Sequence, residues 1–261
     1  MNINNQIYNL IKKIFSIENS ANKTHKVVVI LGIRFKFRKK TKHFGKRYKI
    51  ENIGKNNKIY FLNGDNTKES MGCYSPFPIK IIGDNNLCII PKNVNWLNSE
   101  IIIKSNNSTF VMENTYPNSI VNFYIEINHG DNQEILIGEN FTMGGGAMYA
   151  LEKNSKIKIG KNCMFSTDIC LMSSDGHTIR DKESKNVINF ADQIIIGDNV
   201  WLGKYAKVVK NSSIPSNSVV GINSLVNKNF EIPNVILAGI PAKVVKENIE
   251  WERTDVSFYK E

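Results

Sequence analysis

The stretch SSDGHTIRD, from Ser173 to Asp181, sets one histidine among carboxylates, hydroxyls and a glycine. A neutral imidazole, with an unperturbed pKa of about 6.5, accepts a proton at one ring nitrogen, so His177 is a candidate general base. Such a base gains when a carboxylate on the opposite nitrogen orients the ring and stabilises its cation. Asp175 is the preferred candidate for that role and Asp181 the reserve, with a purely loop-shaping role as the alternative. His25, His43 and His129 have no comparable setting and read as structural.

The position of His177 gains meaning from what flanks it. From Ile196 the chain reads in sixes: IGDNVW, LGKYAK, VVKNSS, IPSNSV, VGINSL. The leading residues Ile196, Leu202, Val208, Ile214, Val220 and Val226 are all aliphatic, and Val200, Ala206, Ser212, Ser218 and Ser224, four further along, are small. Six residues make one short strand and one tight corner, whereas an amphipathic helix needs spacings of three and four. The period predicts a parallel β-helix. The beat also occurs upstream, at Ile159, Phe165 and Leu171 and at Ile137 and Met143, and Ile82 opens an imperfect earlier coil.

Between these blocks the phase slips. Leu171 and Ile196 are 25 residues apart and Ile137 and Ile159 are 22 apart, neither a multiple of six. Protruding loops are therefore expected near residues 174–195 and 144–156, and loops on a rigid scaffold commonly carry binding and catalysis. His177 lies at the start of the first.

The expected organisation has three parts. Residues 1–80 form an N-terminal α/β extension: Ile7, Leu10, Ile11, Ile14 and Phe15 have amphipathic helical spacing, and residues 26–80 read as β-rich. Residues 81–229 form the β-helix. Residues 230–261 form a tail in which Gly239 and Pro241 mark a turn before a short helix. The fold class is mainly β.

Composition narrows the functional classes. No run of about 18 apolar residues is present, so a spanning helix is not expected. The N-terminus lacks a secretory pattern, which gives a cytoplasmic expectation. Cys73, Cys88, Cys163 and Cys170 are dispersed and read as reduced thiols. The formal charge of +10 favours anionic partners. Much of it lies between Arg34 and Lys49, which suits a peripheral contact with an anionic membrane or an acidic polymer; no recognisable module supports a nucleic-acid partner. The many Lys and Asn residues read as a compositional bias of the genome.

The hexads, followed by ILAGIPAKVVK from Ile236, resemble the hexapeptide-repeat acyltransferases, over roughly residues 80 to 248. SSDGHTIRD followed by IIIGDNVWLG is similar to enzymes that O-acetylate sugars and bacterial surface polysaccharides, including sialic-acid capsules. The resemblance implies a left-handed β-helix, a homotrimer, acetyl-CoA as acyl donor and a carbohydrate acceptor. It implies a catalytic role for His177 and an active-site place for Trp201, against the pantetheine arm or the acceptor sugar, with structural packing between subunits as the alternative. It further implies that coenzyme A runs past Gly203, Lys204, Gly221 and Ala238 between neighbouring β-helices, with Lys243 and Lys246 as candidates for its phosphates. N-acetylation of an amino sugar is the enzymatic alternative and a non-catalytic scaffold the third reading. No metal is expected, because a three-histidine zinc site has only His129 and His177 to draw on in the repeat region.

Overall fold

The computed structural model describes residues 47–259 in full, together with the backbone of three further strands. Those strands, Phe15–Asn19, His25–Ile30 and Ile33–Arg38, pair antiparallel within the unit Met1–Gly45. The expected amphipathic helix falls mostly outside the described residues, but Phe15 opens a strand rather than closing a helix. Half of the basic stretch, residues 39–46, also lies outside them.

The unit Lys46–Glu261 is a solenoid of parallel strands. From Thr142 onward each coil visits three sheets in turn. In one full coil these are Gln193–Ile196 in the first sheet, Trp201–Leu202 in the third and Lys207–Val209 in the second, before Ser212–Ile214 returns to the first. Ile194 and Ile196 pair in register with Ile157 and Ile159 above and with Ser212 and Ile214 below. The hexad leaders Ile196, Leu202, Val208, Ile214, Val220 and Val226 are all buried in one continuous core.

Parallel pairing begins at Glu51–Ile53, which pairs with Ile79–Ile82, well before residue 81. These upper coils escape a six-residue reading because aromatic side chains fill much of their interior. Phe77, Trp96, Phe123, Phe141 and Phe165 form a stack with successive ring centroids 4.7, 5.9, 6.5 and 4.9 Å apart. Larger core residues require wider faces, so the strands lengthen and the strict beat is lost.

Corners explain much of the asparagine content better than genome composition does. Asn140, Asn162, Asn199, Asn217 and Asn234 occupy equivalent corners, all with φ between 53° and 62°. Asparagine tolerates this left-handed region better than most residues. The side chains also bond from coil to coil, Asn140 Nδ2 to Asn162 Oδ1 at 3.0 Å and Asn199 Nδ2 to Asn217 Oδ1 at 3.1 Å.

The two phase slips have different outcomes. Residues 144–156 do not form a protruding loop: Gly146–Leu151 is a six-residue strand of the second sheet, and a turn then leads to Lys156–Ile159. The extra residues are absorbed by a longer face. Residues 173–192 do leave the coil, as a hairpin-like excursion in which Arg180 bridges Val187 antiparallel. The tail differs from expectation too. Ala242–Lys246 pairs antiparallel with Ile236–Gly239, as β-branched Val244 and Val245 favour, and helix is confined to a 3-10 turn at Val256–Tyr259.

Candidate active site

The excursion leaves the coil where the second sheet ends at Met172 and rejoins the first sheet at Gln193. Buried Ser173 anchors its start, donating from Oγ to Ser155 Oγ at 3.0 Å and accepting from Leu151 N at 3.1 Å. Gly176, with φ +76°, then turns the chain in a conformation a side chain would strain. His177 follows, exposed, on the wall of a cavity of about 250 Å³. Glu152, Ser174, Asn189, Phe190 and His129 share that wall, so His129, which reads from sequence as structural, lies beside the candidate base.

Neither aspartate sits where ring orientation requires. The Asp175 carboxylate accepts from Lys210 Nζ at 2.6 Å and from Asn189 Nδ2 at 2.9 Å, and among the described residues it has no hydrogen bond with the His177 ring. The lysine ammonium and then the asparagine amide stabilise the ionised form, holding the Asp175 carboxyl below its usual range. Asp181 accepts from Ser184 N and Ser184 Oγ, both at 2.8 Å, and shapes a local turn. Those two bonds, the backbone one first, likewise lower its pKa.

Three residues that the sequence reading passes over hold the excursion. Asn189 donates to the His177 carbonyl at 2.8 Å and accepts from Ile179 N at 2.8 Å, so it spans both limbs. Lys210, on the next coil, donates to the Asn189 carbonyl as well as to Asp175. Glu152, on the coil before, accepts from Ser174 Oγ and from Ala191 N, each at 3.0 Å, and so clamps the two feet. A side chain reaching across coils leaves no trace in local spacing.

The residues expected to contact the acyl donor gather elsewhere. Trp201 points outward from the third sheet, 38% exposed, between Met164 and Val219 on neighbouring strands. Gly203 follows it at the corner, where its N donates to Val220 O at 2.8 Å; Gly221 N donates to Leu237 O at the same distance. A Cβ on Gly203 would lie 2.9 Å from both Ile222 N and Val220 O, and one on Gly221 would lie 3.2 Å from the Ala238 Cβ. Gly203, Gly221 and Ala238 are thus successive members of one strip of small residues. Their small size lets successive coils approach closely at this corner. Lys243 pairs with Ala238 and Lys246 with Ile236 on the closing hairpin, both exposed. Lys204 lies at the same corner as Gly203 and ion-pairs with Asp168 at 3.7 Å.

The structure therefore makes two groups, not one. His177 lies on the excursion between the second and first sheets, and the Trp201 group lies on the third sheet and the corner beyond it. Cys170 offers no ready nucleophile, since burial raises its thiol pKa, and Cys163 is pushed up to about 12 by burial. Among the described residues no cluster of His, Cys, Asp and Glu could hold a metal ion.

Comparison with known proteins gives this geometry a context. No protein-family model matches the chain. It is 36% identical over 175 residues to the polysialic acid O-acetyltransferase of Neisseria meningitidis, covering 67% of this chain and 79% of that protein. It is 37% identical over 123 residues to the polysialic acid O-acetyltransferase of Escherichia coli O1:K1 / APEC, but the match spans only 39% of that protein. Among solved structures, the polysialic acid O-acetyltransferase OatWY aligns with a TM-score of 0.56 at 28% identity, over 80% of this chain and 93% of that one. The polySia specific acetyltransferase NeuO aligns with a TM-score of 0.53 at 26% identity, over 79% and 82%. With its parallel coils, its hexads and these relatives, the chain belongs to the hexapeptide-repeat acyltransferases of left-handed β-helix fold.

Proposed function

We propose that the chain is an acetyl-CoA-dependent O-acetyltransferase whose acceptor is a sugar hydroxyl of a bacterial surface polysaccharide or its precursor. The observation that carries this reading is the placement of His177, exposed on a cavity wall near the start of a long departure from the coil, with its backbone fixed from the opposite limb. A hydroxyl is a poor nucleophile at neutral pH and needs a positioned proton acceptor. The His177 ring takes the hydroxyl proton as that oxygen attacks the acyl carbon, and returns it to the departing thiolate. No covalent acyl-enzyme is needed. Negative charge on the carbonyl oxygen calls for nearby donors, which backbone amides of a coil can supply.

The separation of His177 from the Trp201 strip supports assembly, in our reading a homotrimer. A donor lying along Gly203, Gly221 and Ala238 of one chain then meets His177 of a neighbour. Lys243 and Lys246 would face its phosphates and Trp201 its pantetheine arm. The polysialic acid relatives and the charge of +10 support an acidic acceptor polymer. Among the described residues no helix is long and apolar enough to cross a membrane. The basic N-terminal segment fits work beside the inner face of one, in the cytoplasm.

The test is purified protein with labelled acetyl-CoA and a panel of sugars, nucleotide sugars and capsular oligosaccharides. An alkali-labile acetyl ester on an oligosaccharide is the expected product. An alkali-stable amide would replace this reading with N-acetylation, and no transfer or acetyl-CoA binding would leave a scaffold.

A further inference from the structure

After the closing hairpin, the chain turns back and crosses the coils in reverse order. Ile249 and Asn234 exchange bonds, Ile249 N to Asn234 O at 2.9 Å and Asn234 Nδ2 to Ile249 O at 3.1 Å. Trp251 Nε1 donates to Asn199 O at 2.8 Å. The Arg253 guanidinium donates to Cys163 O at 3.0 Å, Asn162 O at 3.1 Å, Asn140 O at 3.3 Å and Thr142 Oγ1 at 2.7 Å. Ile249 through its main chain, and Trp251 and Arg253 through their side chains, thus bond the left-handed asparagine corners of four coils, those of Asn234, Asn199, Asn162 and Asn140.

Trp251 lies midway along this strap, against Trp201. The ring centroids are 5.9 Å apart with planes inclined at 44°. The strand Trp201–Leu202 runs from the Asn199 corner to the Gly203 corner. Trp251 is tied to Asn199 and packs against Trp201 from that corner, while Gly203 lies at the other end of the strand. A half-exposed indole on a two-residue strand has few contacts of its own to select one rotamer. Nearby, the strap does the selecting, and the bonds of Arg253 and Ile249 hold the strap.

We propose that Trp251 is a positioning residue for acyl transfer: packed against Trp201 from the Asn199 side, it holds that indole along the strip of small residues where the donor's pantetheine arm lies. This rests on the reading of the chain as an acetyl-CoA-dependent enzyme. Trp251 need not touch the donor. It acts through Trp201, and the consequence is in donor binding rather than in proton transfer.

The test uses the full chain with Trp251→Ala, Trp251→Phe and Arg253→Ala. An aromatic pair contributes enough that Trp251→Ala should raise the KM for acetyl-CoA about three- to tenfold, with kcat within about twofold. Trp251→Phe, which keeps a ring, should recover most of the loss, and Arg253→Ala, which loosens the strap, should fall between. Near-UV circular dichroism should show coupling between the two indoles in the wild type, perturbed by acetyl-CoA and missing from Trp251→Phe. Unchanged KM in all three variants, with only the melting temperature lowered, would make the strap merely structural and overturn the proposal. Calorimetry separates the two levels: wild type that binds acetyl-CoA no more tightly than Trp251→Ala defeats the positioning role alone, and wild type that does not bind it defeats the donor reading as well.

Discussion

The side-chain amide of Asn189 donates to the backbone carbonyl of His177 at 2.8 Å, and donates also to the carboxylate of Asp175 at 2.9 Å. One residue on the returning limb of the excursion thus fixes the candidate base through its main chain and joins it to an ion pair anchored on the next coil. The imidazole itself is left exposed. The loop is held through its main chain and its ion pair, and the ring stays exposed.

Removing Asn189 should therefore cost activity more than stability. Asn189→Ala deletes the bonds to His177, Asp175 and Ile179 together. A displacement of about 1 Å in a positioned base can cost about a hundredfold in rate. We expect kcat/KM for acetyl transfer to fall about ten- to a hundredfold, with a melting temperature close to wild type because the core coils are untouched. Steady-state kinetics beside a thermal melt checks it; a parallel loss of both would make Asn189 a folding residue.

Asp175 offers a sharper distinction between orienting a ring and latching a loop. If it oriented the ring, its loss would move the acidic limb of the pH–rate profile by altering the imidazole. Its bonds to Lys210 and Asn189 point to the latch, so Asp175→Ala should lower kcat and leave that limb in place. Lys210→Met should do the same.

The lowered pKa of Asp175 gives that latch a direction in pH. Its folded value lies below the unfolded value of about 3.8. The latch is therefore fully present above the ordinary carboxylate range, and is lost as pH falls through the folded value. Hydrogen exchange in residues 176–190 should be insensitive to this group near neutrality and should accelerate in acid, beyond the intrinsic trend. Lys210→Met should flatten that response. The carboxylate is 40% exposed, so screening by solvent keeps the effect local to the loop.

How much of this could be read beforehand follows from where each partner sits in the chain. The lower coils announce themselves because one aliphatic residue every six positions meets its equivalents directly above and below. The upper coils do not, since Phe77, Trp96, Phe123 and Phe141 fill the same interior with larger and less regular residues. Between Leu171 and Ile196 the chain makes an excursion, whereas between Ile137 and Ile159 it lengthens one face. His177 stands out as the candidate base by its motif and its place at the departure. Its supports do not, because Glu152, Asn189 and Lys210 come from three separate segments and meet only after the coils stack. Asp175 shows the risk of proximity in sequence: two residues from the histidine, it turns to a lysine one coil away.

The clamp at the feet of the excursion makes a stability prediction. Glu152 accepts two bonds, from Ser174 Oγ on one foot and Ala191 N on the other, while half-buried. Hydrogen bonds to a charged group contribute about 1.5–3 kcal/mol each, less when exposed to water. Glu152→Ala should destabilise the protein by about 1–2 kcal/mol in urea unfolding and open the excursion to protease before the coils. Glu152→Gln keeps one acceptor oxygen for Ala191 N, and its amide can donate to the Ser174 hydroxyl, so it should recover at least half. Equal effects of the two would mean that charge rather than bonding holds the feet.

The corner asparagines predict a different pattern of substitution. Asn162 has φ 60° and receives the amide of Asn140 at 3.0 Å. Asn162→Ala loses the side-chain bond and places an alanine in the left-handed region, a combined cost of about 2 kcal/mol. Asn162→Gly loses the same bond but relieves the backbone, so it should cost clearly less, reversing the usual order in which glycine is the worse replacement. The double substitution with Asn140→Ala separates the two terms, because alanine at residue 140 removes the bond in advance. Denaturant unfolding of the four proteins measures each step. If glycine at residue 162 proved as damaging as alanine, the asparagine would be kept for its bond along the ladder and not for its tolerance of the turn.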